Sequence, residues 1–279
     1  MTPILCDHGG AMEKAYKNGD FLMGRDARPL RILSEYLEPQ ARFARYKVAD
    51  TVVFFGSARA LPLEQAEEAL VNAKATRNLA AIARAEGGLL LARYYEDART
   101  LARSMTEWSK SLESPNRRFL VCSGGGPGIM EAANRGASEA HGISIGLGIS
   151  LPDEPTMNEY ITREMGFEFH YFFMRKFWFV YLAKALVVFP GGFGTMDELF
   201  ELLTLVQTRK SSKKMPIVLY GRAFWSEVLN FDALIRWGTI SAADLSLFHV
   251  ADTPDEAFTY LTRELSSLYG DKDAEVPSV

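Results

Sequence analysis

Three glycine-rich segments constrain the fold of this chain, because each one directly follows a short apolar run. The three pairs are residues 51–55 before Gly56, residues 118–122 (apolar after Arg118) before Ser123-Gly124-Gly125-Gly126, and residues 185–189 before Pro190-Gly191-Gly192. Unbroken runs of β-branched and aromatic residues are typical of strands that are buried on both faces of a parallel sheet. We therefore expect parallel strands with a glycine-rich turn at the carboxyl end of each.

Helical patterns alternate with strand patterns along the rest of the chain. Predicted helices lie at residues 63–85, 89–112, 129–140, 174–183, 194–207, 223–236 and 254–268, and further strands at 143–149, 168–172, 216–220 and 247–250. We expect the first two helices to join near Gly87-Gly88. This alternation predicts an α/β fold with a doubly wound, Rossmann-like parallel sheet and helices on both faces. Such sheets bind ligands outside the carboxyl ends of their strands, where all three glycine segments lie.

Composition excludes several classes of partner. The 279 residues include 31 Lys and Arg against 35 Asp and Glu, a net charge of −4, which argues against a dedicated nucleic-acid binder. The sequence has no run of about 20 apolar residues that could span a bilayer, and its amino-terminal residues lack a signal-peptide pattern. Two cysteines, Cys6 and Cys122, suit a reducing compartment. We expect a cytoplasmic protein with neither a nucleic-acid nor a membrane partner.

The first two glycine segments differ in how strongly they indicate a ligand. Gly56-Ser57 offers a sharp turn and a hydroxyl group, and an ordinary strand-to-helix turn explains it equally well. In the second segment, Gly125 and Gly126 free the backbone N–H groups ahead of a helix that begins near Met130. A helix N-terminus of this kind favours a phosphate or nucleotide, although neither the G-x-G-x-x-G fingerprint nor the P-loop lysine is present.

The third segment, residues 190–198, follows a buried strand and opens a helix. Its glycines Gly191, Gly192 and Gly194 free the backbone to wrap a phosphate, and Thr195 can cap the helix and bond the same phosphate. Glu198 follows Thr195 at capping-box spacing. The local sequence therefore leaves two roles open for Glu198, a helix cap or an active-site carboxylate.

Arg175 and Lys176 stand in an aromatic stretch, residues 171–178. Two cations in such surroundings cannot both be buried without partners. Either their charged ends reach solvent, or they face an anion at the mouth of the sheet, where an arginine binds a phosphate or carboxylate with two hydrogen bonds.

Together these motifs resemble the LONELY GUY (LOG) family, whose members are often mislabelled as lysine decarboxylases. Its signature is an Arg-Lys pair followed by P-G-G-x-G-T-x-x-E, and the chain carries it complete as Arg175-Lys176 and residues 190–198. Gly56-Ser57 and the run from Ser123 to Asn134 match as well, so the resemblance covers about residues 51–220. The amino-terminal stretch and the long helical insert resemble a longer, bacterial-type branch.

The resemblance implies a phosphoribohydrolase, which cleaves a nucleoside 5′-monophosphate to a free base and ribose 5-phosphate. Cytokinin riboside 5′-monophosphates and AMP are the substrates it implies, with no cofactor and no metal, and with a homodimer or higher homo-oligomer as the assembly. Arg175 and Glu198 become the catalytic pair. The substrate-binding residues it implies are Gly56, Ser57, Gly125, Gly126, Met130, Glu154, Lys176, Gly191, Gly192, Gly194, Thr195 and Thr204.

Three alternative functions fit the sequence less well. A non-catalytic carrier of a nucleotide or phosphorylated ligand shares the glycine loops, but the presence of both Arg175 and Glu198 argues against it. An NAD-dependent dehydrogenase lacks its fingerprint. Pyridoxal phosphate chemistry needs a lysine within a cofactor constellation, whereas Lys176 adjoins a second cation. No histidine lies in a motif, so the general acid for the departing base is unassigned, and His170 is interpreted as structural.

We expect three parts along the chain. Residues 1–47 form an extension of one or two helices that stops at Pro39, and residues 48–270 form the nucleotide-binding catalytic domain, with a helical insert at about 63–113. Residues 271–279 form a polar tail that we expect to be frayed.

Overall fold

The computed structural model describes residues 13–150, 157–210 and 213–270 and contains a seven-stranded, all-parallel sheet. The strands are β1 (Thr51–Phe55), β2 (Leu120–Ser123), β3 (Ser144–Ile149), β4 (Gly166–Phe169), β5 (Ala183–Val188), β6 (Ile217–Tyr220) and β7 (His249–Ala251). Their order is β4-β3-β2-β1-β5-β6-β7, so the winding direction reverses between β1 and β5. The predicted α/β class and parallel sheet are confirmed.

Ten α-helices lie in the described residues. They are α1 (Gly19–Met23), α2 (Arg28–Arg45), α3 (Leu63–Thr76), α4 (Leu79–Ser111), α5 (Ile129–Glu139), α6 (Phe172–Leu182), α7 (Phe193–Gln207), α8 (Arg222–Val228), α9 (Phe231–Arg236) and α10 (Pro254–Tyr269). Short 3-10 helices cover Ala15–Lys17, Arg163–Met165 and Ala242–Leu247. None of these helices is both long and apolar enough to cross a membrane.

Each face of the sheet carries its own core, because successive strand residues point to opposite faces. Val53 and Phe55 of β1 pack on one side against α6, through residues such as Phe179. Val52 and Phe54 pack on the other side against α4, α5 and α10. Helices therefore cover both faces, as the alternating pattern predicts.

The break between the two long helices is not where the glycine pair predicts it. Gly87 and Gly88 lie inside α4, and the chain turns instead at Arg77, which has a left-handed φ of 53°. Asn78 then caps α4, its side chain accepting hydrogen bonds from the N–H groups of Ala80 and Ala81. A favourable cap at Asn78 outweighs the modest cost of two glycines in a long helix.

The prediction that Pro39 ends the amino-terminal helix is also wrong, because Pro39 lies inside α2. Proline has no N–H group, so it leaves the carbonyl of residue i−4, here Glu35, without its intrahelical partner. The indole N–H of Trp178 donates to that carbonyl instead, at 3.0 Å. Tertiary contacts thus compensate the proline, and both Pro39 and Phe43 are buried.

Three further boundaries differ from prediction. Strand β2 starts at Leu120 rather than residue 118, because Phe119 has a φ of 53°, outside the β region. The strand expected at 168–172 is β4, Gly166–Phe169, and α6 already begins at Phe172. The helix expected at 223–236 is divided into α8 and α9, with Asn230 capping the second. The tail after residue 270 lies outside the described residues.

Candidate active site

A cavity of about 840 Å³ opens at the carboxyl ends of the central strands, around the reversal of strand order between β1 and β5. This is the position at which doubly wound sheets bind ligands, and the volume suits a small-molecule site. The predicted site residues that line it are Gly56, Ser57, Gly125, Gly126, Met130, Arg175, Gly192, Gly194, Thr195 and Glu198. The topology thus gathers residues from all three glycine segments around one space.

The turn after β5 leaves its backbone open to this cavity. A Cβ added at Gly192 or Gly194 would meet nothing within 4 Å, whereas one added at Gly191 would lie 2.1 Å from the Thr195 hydroxyl oxygen. Gly191 therefore lies behind Thr195 and supports it. No side chain caps the N-terminus of α7 at Gly192, so its first N–H groups are available to an anion.

The structure excludes one of the two roles that the sequence leaves open for Glu198, that of a helix cap. Helix α7 begins at Phe193, with Gly192 as its N-cap and no capping bond from a side chain. Thr195 is therefore the third residue of the helix rather than its cap. Glu198 lies almost a turn further on, too far along α7 to serve as the capping-box acid, and lines the cavity instead.

Glu198 is a buried carboxyl group with an altered acidity. Only 8% of its surface is exposed. Burial raises the pKa of Glu198 to about 7, although the nearby charges of Lys176 and Arg175 act in the opposite direction. A carboxyl group with this pKa is present in both protonation states at neutral pH, which suits acid–base chemistry.

Arg175 reaches the cavity from α6 across the end of β3. Its Nε donates a 2.7 Å hydrogen bond to the carbonyl oxygen of Leu147. Its Nη2 lies so close to Gly124 that a Cβ on that glycine would be 2.6 Å away. The guanidinium is thus held between the ends of β2 and β3, where it attracts the charge of Glu198.

Lys176 does not line the cavity. Its Nζ lies 2.8 Å from carboxylate oxygens of both Asp197 and Glu201 and so joins α6 to α7. Burial alone would lower the pKa of Lys176, but the hydrogen bonds to those two carboxylates outweigh it and raise the pKa above its usual range. Lys176 therefore stays charged. It does not contact the cavity, but its positive charge lowers the pKa of Glu198.

Two other predicted substrate residues lie away from the cavity or beyond description. Thr204 is exposed in the fourth turn of α7, where its hydroxyl donates to the carbonyl of Phe200. Glu154 lies in residues 151–156, outside the described part of the chain.

A polar network behind the second glycine segment was not predicted as part of the site. The Asn158 amide nitrogen donates to the carbonyl oxygens of Gly125 and Gly126, each at 3.0 Å, and to Asn134 Oδ1 at 3.1 Å. The Ser123 hydroxyl donates to the same Asn134 oxygen and accepts from the Gly125 N–H. Position 125 requires a glycine, because its φ of +76° is unfavourable for residues with a side chain. Asn134 lies in the motif from Ser123 to Asn134, whereas no sequence pattern around Asn158 indicates a role in the site.

The chain is similar to a known protein family and to curated proteins. A family model described as "possible lysine decarboxylase" matches residues 130–261. The pyrimidine/purine nucleotide 5′-monophosphate nucleosidase of Escherichia coli (strain K12) is 31% identical over 121 residues, 38% of this chain and 25% of that protein. The probable cytokinin riboside 5′-monophosphate phosphoribohydrolase LOG4 of Oryza sativa subsp. japonica is 27% identical over 146 residues, 51% of this chain and 62% of that protein.

Solved structures match this chain at low identity and with low TM-scores. The molybdenum cofactor binding protein of Rippkaea orientalis has a TM-score of 0.47 and 16% identity, covering 78% of this chain and 98% of that one. The molybdenum cofactor carrier protein of Chlamydomonas reinhardtii has a TM-score of 0.45 and 20% identity, covering 78% and 99%. Nothing about ligand or activity follows at this level of similarity.

The chain spans only a quarter of the length of the Escherichia coli relative and under two thirds of the rice relative. The residues that the family model matches include Arg175-Lys176 and residues 190–198. The resemblance to the LONELY GUY family is confirmed.

Proposed function

We propose that this protein hydrolyses the N-glycosidic bond of nucleoside 5′-monophosphates and releases a free base and ribose 5-phosphate. One observation carries the proposal: the buried Glu198 carboxyl, with its pKa raised to about 7, lines the same cavity as Arg175 and the open backbone of the β5–α7 turn. An uncapped helix N-terminus, a cation and a titratable carboxyl group thus line one cavity.

The chemistry follows from what each group can do. Breaking an N-glycosidic bond develops positive charge on the ribose ring, as in glycoside hydrolysis. The ionised Glu198 stabilises that charge at C1′ or takes a proton from the attacking water. Arg175 orients Glu198 and the sugar phosphate. The N–H groups of the β5–α7 turn and the Thr195 hydroxyl hold the 5′-phosphate, as expected at an uncapped helix N-terminus.

The phosphate anchor also sets the substrate class. Binding energy from a part of the substrate that does not react can position the reacting bond, so a nucleoside without its phosphate should be a poor substrate. We propose AMP, a cytokinin riboside 5′-monophosphate, or both as substrates. The names of the two curated relatives support this class of compound.

The test separates hydrolysis from simple carriage. Wild-type protein and the Glu198→Gln variant are incubated with AMP, isopentenyladenosine monophosphate and other purine and pyrimidine monophosphates, and ribose 5-phosphate is assayed. Binding of each nucleotide is measured separately by calorimetry. We expect turnover by the wild type, with binding but no turnover by the variant. Binding without turnover in both proteins would instead support a non-catalytic carrier.

We also propose that the protein is a homodimer or a higher homo-oligomer. Helix α6 leaves the aromatic side chains of Phe172, Phe173 and Tyr181 about half exposed. An exposed group of large apolar side chains is typical of a surface that binds another protein chain. Gel filtration with light scattering tests this assembly. A monomer at assay concentration would contradict it.

The catalytic domain is proposed to be residues 48–270, preceded by the extension 1–47 and with the insert at about 63–113, because the cavity with Arg175 and Glu198 lies within these residues. A cytoplasmic location is proposed from the low cysteine content, Cys122 being a buried free thiol. Cell fractionation tests the location.

A further inference from the structure

The helix that carries Arg175 has no cap of its own. Helix α6 begins at Phe172, and its N-cap residue Tyr171 makes no capping bond with its side chain. The N–H groups around the start of a helix have no intrahelical partner and need one from elsewhere. Arg175 lies only one turn into α6, so any loosening of this end would reach the guanidinium directly.

Glu35, from α2 in the amino-terminal extension, supplies the missing partner. One carboxylate oxygen accepts the N–H of His170 at 2.8 Å, and the other accepts the N–H of Tyr171 at 3.2 Å. In a capping box, a glutamate of the same helix accepts the N–H of the N-cap residue. Here the glutamate comes from another helix, more than a hundred residues earlier, and its negative charge also suits a helix N-terminus.

The backbone of the same residue holds α6 a second time. The Glu35 carbonyl accepts the indole N–H of Trp178 at 3.0 Å. This carbonyl is free because Pro39, four residues later, has no N–H to offer it. Trp178 lies one helical turn after Arg175, so the two contacts of Glu35 lie on either side of the arginine along α6.

Aromatic packing between α2 and α6 makes the contact between these two helices rigid. The ring of Trp178 lies 5.4 Å from Phe43 and 5.8 Å from Tyr36, both on α2, and only 1% of Trp178 is exposed. A displacement of α2 would therefore be transmitted to α6, because close-packed interiors resist small local adjustments.

We propose that Glu35 is a positioning residue for the active site. Its contacts at the N-terminus of α6 and at Trp178 fix the part of the helix that carries Arg175. The guanidinium therefore stays beside Leu147, Gly124 and Glu198. This proposal rests on the proposed function, in which Arg175 orients the substrate. It gives the amino-terminal extension a role in catalysis although none of the described residues of α2 lines the cavity.

The experiment compares Glu35→Ala, Glu35→Gln and a matched control, Glu38→Ala. Glu38 lies on the same helix but pairs only with Arg42 at the surface. We expect Glu35→Ala to lower kcat by roughly 10- to 100-fold with a smaller change in KM, because small misplacements of a catalytic group are costly. Glu35→Gln keeps one oxygen acceptor for the two N–H groups and should therefore recover part of the rate. Glu38→Ala should stay within about twofold of wild type.

A pH profile distinguishes positioning from general destabilisation. Since Arg175 lowers the pKa of Glu198, its displacement in Glu35→Ala should move the acidic limb of the kcat/KM profile to higher pH. A wild-type kcat and profile in Glu35→Ala, or an equal loss in Glu38→Ala, would overturn the proposal.

Two measurements keep the inference testable on its own. Hydrogen exchange of the α6 amides should be faster in Glu35→Ala than in Glu38→Ala even if the wild type hydrolyses no nucleotide, in which case the proposed function alone has failed. If Glu35→Ala does not fold, Trp178→Phe removes the indole N–H while keeping a ring against Phe43. A kcat lowered by roughly threefold or more supports the proposal, and an unchanged kcat overturns it.

Discussion

Gly124 lies so close to Arg175 that a Cβ on the glycine would be 2.6 Å from the Nη2 of the arginine. The same atom would be 2.7 Å from the sulfur of Met130, so the bare backbone at the end of β2 is enclosed on two sides. The absence of a side chain at Gly124 therefore has a structural role besides leaving the backbone open to a ligand. It provides the space in which the guanidinium lies.

Replacing Gly124 with alanine should impair catalysis more than folding. The added methyl group displaces Arg175 from its place beside the Leu147 carbonyl, and we expect kcat/KM to fall by about 100-fold. Steady-state kinetics on AMP measures the loss. Gly87→Ala is the matched control, since a Cβ there meets nothing within 4 Å and should stabilise α4 by about 0.5–1 kcal/mol. Equal activity in both variants would contradict the role of Gly124.

The activity should depend on the ionisation of Glu198. Because the proposed mechanism uses the carboxylate, kcat/KM should rise tenfold per pH unit below about 7 and level off above it. Rates are measured from pH 5 to 9, and the second ionisation of the substrate phosphate, near pH 6, is titrated separately. A flat or falling profile between pH 6 and 8 would argue against an ionised Glu198.

Glu198 should also cost the protein stability at alkaline pH. Its pKa in the folded protein, about 7, lies above the ordinary value of 4.5, so the folded state holds the proton more tightly and loses stability as pH rises between those values. Glu198→Gln cannot ionise, and its free energy of unfolding should exceed that of wild type by roughly 3 kcal/mol at pH 8 but match it near pH 4.

Urea denaturation at the two pH values measures this difference. The control is Glu227→Gln, an exposed carboxylate on α8, which should show no such pH-dependent gain. A Glu198→Gln variant that is no more stable than wild type at pH 8 would mean that burial does not raise the pKa of this group.

The glycine segment after β2 should depend on Asn158. Asn158→Ala removes the amide that donates to Gly125, Gly126 and Asn134, and it leaves buried acceptors without that donor. We expect KM for AMP to rise by roughly tenfold, with a loss of stability of about 1–3 kcal/mol. Kinetics and thermal denaturation measure the two effects. Unchanged kinetics would exclude a role for this network in holding the loop.

The fold and the position of the cavity could be predicted because their signals are local. An apolar run followed by glycines marks the carboxyl end of a buried strand, and parallel topology brings such ends to one edge of the sheet. Gly56, Gly126 and Gly192, far apart in sequence, therefore line one cavity. Sequence patterns do not specify the direction of a side chain. Lys176 is predicted to bind substrate, but it points to Asp197 and Glu201.

The features that were missed depend on contacts between distant segments. Pro39 has a helix-breaking preference, yet α2 continues through it because Trp178 bonds the carbonyl that the proline leaves free. Glu35 and Asn158 are unremarkable in their own sequence neighbourhoods, and their partners lie on α6 and in the glycine segment. Local patterns cannot specify such pairs, because tertiary context overrides propensity.

The most direct test of the account is a crystal structure of the Glu198→Gln variant with AMP bound. The account predicts the 5′-phosphate at the N–H groups of residues 191–195, with the anomeric carbon facing residue 198 and Arg175 in contact with the nucleotide. A nucleotide bound elsewhere, or one whose ribose turns its anomeric carbon away from residue 198, would contradict it.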